Sequence, residues 1–123
     1  LLHGGLVTIE GAFGKLRPLL AGFCRTIGIE QQGHGRTKDL DRPMTYEQMV
    51  KDTAMLLDRI GISDADVVGW SDGGIVALGL ASLLADLVRR IAVIGAGYSA
   101  EAETVETRSM MQALGPNDPG LAR

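Results

Sequence analysis

The sequence predicts an α/β fold, a three-layer arrangement with a parallel sheet between helices on both faces. Two observations carry this. Short apolar runs rich in β-branched residues alternate along the chain with longer segments of helical spacing. The order is strand then helix, four times over, and connections of that length demand right-handed crossovers and parallel strands. Glycine-rich turns after Leu2, Glu30, Trp70 and Ile94 would then gather at the carboxyl edge of the sheet, where ligands of such sheets bind.

Each element has its own signal. Leu1-Leu2 reads as the tail of a buried strand, with His3-Gly4-Gly5 as the turn after it. A short amphipathic helix is expected over residues 12–21, where Phe13, Leu16, Leu19 and Leu20 recur at helical spacing. Pro18 lies within it and leaves its ends open. Residues 24–29 form the second strand candidate, with Thr26, Ile27 and Ile29 around a glycine. A loop runs from Glu30 through Gly33-His34-Gly35-Arg36-Thr37 to Pro43, with Asp39, Asp41 and Arg42 solvated. Thr45-Tyr46-Glu47-Gln48 reads as a capping box that opens the clearest helix. Met49, Thr53, Leu56, Leu57 and Ile60 share one face of that helix, and Gly61 stops it. The central strand covers residues 65–70, and its helix ends near Ala85-Asp86. Arg89-Arg90 leads into a strand over 91–94, closed by Gly95-Ala96-Gly97. Residues 100–114 read as a polar helix of weak apolar periodicity. Cys24 and the methionines Met49, Met55, Met110 and Met111 are expected to pack in the core or between helices.

Bulk properties exclude several function classes. At 123 residues the chain is at most one domain. Its net charge of −3 comes from interleaved acids and bases, with no basic stripe for nucleic acid and no polybasic run for a membrane. The longest apolar runs are far shorter than a bilayer span, and the first residues form no secretory signal. One cysteine excludes an intrachain disulfide and any CxxC site, so a cytoplasmic location is the expectation. No His/Cys/carboxylate cluster has metal-ligand spacing. A dinucleotide site needs Gly-x-Gly-x-x-Gly, and Ser71 stands where the second glycine must let the pyrophosphate approach. No cofactor is expected. The chain opens inside a strand end without Met and closes on Gly115-Pro116-Asn117-Asp118-Pro119-Gly120, so it is expected to be part of a larger domain.

The chemistry is concentrated in Val67-Val68-Gly69-Trp70-Ser71-Asp72-Gly73-Gly74. An apolar pair runs into Gly-x-Ser-x-Gly, and a helical segment follows without a break. A serine on so sharp a turn is strained, and neighbours carrying a Cβ would collide with the adjacent strand and helix. The turn lifts the hydroxyl above the sheet edge and leaves free N–H groups at a helix start, where a negative oxygen is stabilised.

With these residues in view, the sequence resembles the α/β-hydrolase fold family. Four features in order carry the resemblance: Leu1-Leu2-His3-Gly4-Gly5, Gly33-His34-Gly35-Arg36-Thr37, the elbow Gly69-Trp70-Ser71-Asp72-Gly73, and Leu87-Val88-Arg89-Arg90 before Ile91-Ala92-Val93-Ile94. The resemblance implies a partial α/β-hydrolase fold over residues 1–123, with core strands and helices to about residue 97 and the start of a lid over 98–123. It implies that Ser71 is the nucleophile and that the backbone N–H of Asp72 is one oxyanion donor. Gly5 would supply the second, with Leu6 as the alternative. The reaction implied is hydrolysis of a small carboxylic ester through an acyl-enzyme. A small-molecule ester is then the expected partner. The same scaffold also hosts carbon–carbon bond hydrolysis and cofactor-free haloperoxidation, and a non-catalytic remnant is the reading from another class.

One departure is central. The family's order is serine, acid, histidine, yet both histidines, His3 and His34, precede Ser71. Asp64 and Asp66 lie at the wrong end of their strand, and Gly95-Ala96-Gly97-Tyr98 puts no acid at the tip of the fourth strand. His3 is expected to brace the glycine turn and His34 to fix its loop. The Asp72 side chain is expected to favour the helix start, and Trp70 to pack beside the elbow. The full protein is read as a serine hydrolase, and these residues alone as inactive.

Overall fold

The computed structural model describes residues 1–97 together with 104, 105 and 109. The expected lid and most of the helix over 100–114, with Met110 and Met111, lie outside the described residues. The elements are α1 (Ile9–Phe13), α2 (Leu16–Leu20), α3 (Tyr46–Arg59), β1 (Ala65–Trp70), α4 (Asp72–Leu83) and β2 (Val88–Ile94).

The sheet is parallel throughout. β1 pairs with β2, Val67 opposite Ile91 and Trp70 opposite Ile94. On the other side of β1, Leu2 forms parallel bridges to Gly69 and to Ile29. Leu2 donates its N–H to Val68 O at 2.8 Å and accepts from Trp70 N–H at 3.0 Å, while Ile29 N–H reaches Leu1 O at 3.1 Å. The lateral order is therefore Ile29, Leu2, β1, β2. Parallel strands put their carboxyl ends on one edge, so His3, Glu30, Ser71 and Gly95 all emerge together. The second strand is shorter than expected over 24–29. Its ladder partners are Leu1 and Leu2, with the Leu1 ammonium donating to Ile27 O at 2.7 Å, and residues 24–26 meet no strand.

α4 packs on both strands, and α3 packs on α4. Leu2, Ile29, Met49, Val50, Leu57, Val67, Val76, Ala77 and Leu80 form the core between them. Along an extended segment successive side chains point to opposite faces. Ile27 and Ile29 join this core, so Gly28 faces the other way, and Ile9 of α1 fills the space a Gly28 side chain would need. Helices thus cover both faces.

The helix expected over 12–21 is two short ones. Thr8 starts α1 by accepting from Gly11 N–H at 3.1 Å, four residues before the expected start, and α1 buries Ile9 and Phe13 one turn apart. α2 begins anew at Leu16, with Pro18 in its first turn, where a missing N–H costs nothing. α2 buries none of its residues. Phe23 is 90% exposed, and Cys24 is exposed as well. The expectation of a core Cys24 is therefore wrong, because the chain turns off the sheet at residues 21–24.

α3 starts where its cap predicts, Thr45 Oγ1 accepting from Gln48 N–H at 3.2 Å. The second half of the box is not made; Gln48 Nε2 donates instead to Asp52 Oδ1 at 2.9 Å, one turn on. The buried face is Met49, Val50, Thr53 and Leu57, with Leu56 and Ile60 at its margin and Met55 facing solvent. Gly61, at φ +73, follows the end of the helix. β2 begins three residues before the expected strand. Arg89 sits within it and forks onto Asp66, at 2.9 and 2.8 Å, so the two arginines belong to the strand rather than to its approach.

Candidate active site

Ser71 is the only residue between β1 and α4. Its backbone has φ 52 and ψ −121, a region that costs a side-chain-bearing residue about 1–3 kcal/mol unless its surroundings enforce it. They do. Ser71 N–H donates to Ile94 O at 2.8 Å, and Ser71 O accepts from Gly74 N–H at 2.8 Å. A Cβ on Gly69 would strike the Gly73 carbonyl, and one on Gly73 would strike the carbonyls of Leu2 and His3. Ser71 occupies the N-cap position of α4, yet its hydroxyl does not cap the helix. An ordinary capping serine has extended backbone and a bonded side chain; Ser71 has neither.

The glycine turn lies directly over this elbow. A Cβ built on Gly4 would fall 3.0 Å from Ser71 Cβ and 3.2 Å from the Trp70 ring. One on Gly5 would meet the Asp72 carboxylate. That carboxylate accepts from Tyr46 Oη–H at 2.7 Å, which ties α3 to the start of α4. Among the described residues the amides of Gly5 and Asp72 have no hydrogen-bond partner. The Leu6 amide does, donating to His34 Nε2 at 3.2 Å. Of the two candidates for a second oxyanion donor, Gly5 is therefore the one left free. Trp70 packs between Gly4 and Gly95, as a neighbour of the elbow.

Both histidines are engaged. The buried His3 accepts from Gln31 N–H at Nε2, 3.0 Å away. A backbone N–H can only donate, so His3 carries its proton on Nδ1 and gives it to Gly4 O at 2.7 Å. The same reasoning fixes His34: Nε2 accepts from Leu6, and Nδ1–H donates to Gln32 O at 2.8 Å. The rings lie 4.9 Å apart, tilted by 48°. Burial pushes the His3 pKa below its ordinary value. Neither ring offers a free nitrogen lone pair.

Glu30 was missed by sequence reasoning. Its side chain is only 8% exposed and accepts from Arg36 N–H at 2.9 Å, Arg36 Nε at 3.0 Å and Ile9 N–H at 3.3 Å. The bond from the Arg36 amide is the main reason its carboxyl sits below the usual range. Nor is the loop beyond it simply solvated. Gln32 Nε2 donates to Asp39 Oδ1 at 2.9 Å, Arg42 Nε donates to Gln32 Oε1 at 2.7 Å, and Arg42 pairs with Asp52 of α3. Gln31 Nε2 reaches the buried Thr53 Oγ1 at 3.0 Å. Asp64 and Asp66 lie at the far end of β1, paired with Arg89.

A hollow of about 430 Å³ opens at the opposite, amino edge of the sheet, lined by Leu1, Ile27, Leu57, Ile62 and Leu80 among others. It holds none of the elbow or turn residues. Among the described residues no cluster of His, Cys, Asp and Glu is placed to hold a metal, and no helix is long and apolar enough to cross a membrane.

The sequence matches the profile of the α/β-hydrolase fold over residues 1–123. The chain belongs to the α/β-hydrolase fold family. Among its curated relatives, a pimeloyl-[acyl-carrier protein] methyl ester esterase from Photobacterium profundum is 34% identical over 104 residues, 84% of this chain and 38% of that protein. The human serine hydrolase BPHL is 29% identical over 100 residues, 78% of this chain and 34% of that protein. The chain thus spans little more than a third of the length of these two relatives. A solved meta-cleavage product hydrolase, CumD, superposes with a TM-score of 0.71 at 26% identity, covering 76% of this chain and 35% of its own.

Proposed function

We propose that Ser71 is the nucleophile of a serine hydrolase that cleaves small carboxylic esters. Ser71 Oγ attacks the ester carbonyl. The tetrahedral oxyanion accepts hydrogen bonds from the Asp72 and Gly5 amides, the alcohol leaves, and water releases the acid from the acyl-enzyme. One observation carries the reading: a strained serine whose hydroxyl is uncapped, beneath a turn with an unpartnered amide. Each such amide typically contributes about 3 kcal/mol to the transition state. The esterase relative supports the ester as substrate class, and the serine-hydrolase relative supports the serine nucleophile. The CumD likeness supports a second reading, carbon–carbon bond hydrolysis with the same nucleophile.

The general base and its acid are proposed to come from outside these 123 residues. His3 and His34 each spend their one lone pair on a backbone amide, and without a base the serine keeps its proton. The residues described here are proposed to be inactive by themselves, and the setting to be cytoplasmic.

A fluorophosphonate probe tests the nucleophile on the whole protein. Labelling at Ser71 that disappears in Ser71→Ala is the expected result. Equal labelling of the variant would overturn the assignment. Turnover by the 123-residue chain alone would overturn the need for an outside base.

A further inference from the structure

The turn that carries Gly5 holds a backbone conformation it would not keep unaided. Leu6 sits at φ 64, in the left-handed region that costs a residue with a side chain about 1–2 kcal/mol. We infer that His34 is the positioning residue of this turn: its bare Nε2 takes up the Leu6 amide and leaves the Gly5 amide free. The inference rests on the oxyanion role proposed for Gly5.

The geometry divides the labour. The His34 ring is set by its own loop, through Nδ1–H to Gln32 O, and Gln32 is in turn held by Asp39 and Arg42. The ring therefore meets the turn as a fixed acceptor. His3 makes the reciprocal tie, rooted in the turn and accepting from Gln31 of the loop. The two segments are joined by a pair of N–H to Nε2 bonds running in opposite directions, each between residues 28 apart. Both bonds need neutral imidazoles. A proton on His34 Nε2 would set an N–H against the Leu6 N–H, and the tie would break. The charged groups around the pair are Glu30 and Asp72, which act on His3, and Asp39, whose carboxyl feels His34. Burial favours neutral His3, the form its half of the brace needs. Loss of that tie frees Leu6 and lets the turn relax.

The ¹⁵N-labelled protein tests this by NMR, without reference to turnover. At pH 8 the His34 imidazole should carry its proton on Nδ1, and the Leu6 amide should be protected from exchange. As the pH falls and the His34 ring protonates, Leu6 exchange, corrected for its intrinsic pH dependence, should quicken by about tenfold, the worth of one lost hydrogen bond. The Ser71 amide, bonded to Ile94 O, should show no such step. His34→Gln keeps an acceptor but takes no proton, so it should hold Leu6 protected at both pH values. The inference is overturned if His34 carries its proton on Nε2 at pH 8, or if Leu6 does not follow the ring. It is also overturned if the glutamine variant shows the same step. The wild-type titration decides the matter if that variant does not fold. A failure here leaves Ser71 labelling untouched, and a failure to label Ser71 leaves the Leu6 result standing.

Discussion

The elbow and the turn above it pack so closely that a Cβ on Gly4 would fall 3.0 Å from Ser71 Cβ, yet they are held by different forces. The elbow is held by main chain against main chain: Gly69 against Gly73, Gly73 against Leu2, Ser71 bonded to Ile94. The turn and its loop are held by side chains, the titratable or charged His3, His34, Glu30 and Arg36 together with the neutral Gln31 and Gln32. Close packing of backbone is indifferent to pH and intolerant of volume. A hydrogen-bonded brace tolerates small changes of volume but not a change of protonation. Half of the candidate oxyanion site is thus rigid by shape, and the other half by charge state.

The largest expected effect follows from shape. Gly73→Ala places a methyl group on the Leu2 carbonyl. The loss should reach about 4 kcal/mol or more, in the range where only named steric faults fall, and chemical denaturation measures it. A loss under 1 kcal/mol would show that the elbow yields, and the contrast with the turn would fail.

Charge state gives the next effect. His3 has its pKa lowered in the folded chain, so the unfolded chain binds more protons as the pH drops below the ordinary imidazole value of 6.5. Stability should therefore fall with pH from there. Glu30 is depressed below its ordinary 4.5, so its contribution is complete above that value and is lost as the pH falls through its folded pKa. Glu30→Gln should cost about 1–3 kcal/mol at pH 7 through its weakened bonds to Arg36. It should also flatten the profile below pH 4.5. Thermal midpoints across pH 3–8 read both effects; a profile that is flat in the parent protein would remove charge state from the account.

The smallest effect concerns Tyr46. Its hydroxyl is a side-chain tie onto the first residue of α4. Tyr46→Phe should cost about 1 kcal/mol or less, because the bond is exposed. A cost as large as that of Gly73→Ala would mean that side chains, not backbone contacts, hold the elbow.

The same division explains what the amino-acid sequence revealed. The elbow was legible because its signature is local, although Leu2 and Ile94, which help to hold it, are distant in sequence. Two β-branched residues end a strand, glycines mark the close approaches, and Ser71 stands between them. α3 was legible from Thr45 and Gly61, which sit at its ends. The brace was legible only in outline. His3 and His34 were expected to fix their own turns, and each does more, tying its segment to a residue 28 positions away. Such a pairing leaves no periodic trace. Glu30 looked like an ordinary loop residue because its bonds, to Arg36 six residues on and to Ile9 in another segment, follow no periodic pattern. The start of β2 was hidden for another reason. Arg89 and Arg90 read as the approach to the strand until Asp66, on the neighbouring strand, gives them a partner.

The contact of Gly73 with the Leu2 carbonyl has a genetic consequence. When a side chain stands in the way of an added methyl group, a second substitution can trim it and restore the fit. Here the obstacle is a peptide oxygen, which all twenty amino acids carry at position 2. No replacement of Leu2 or of His3 clears the space, so a defect at position 73 should be without single-site suppressors in the first strand.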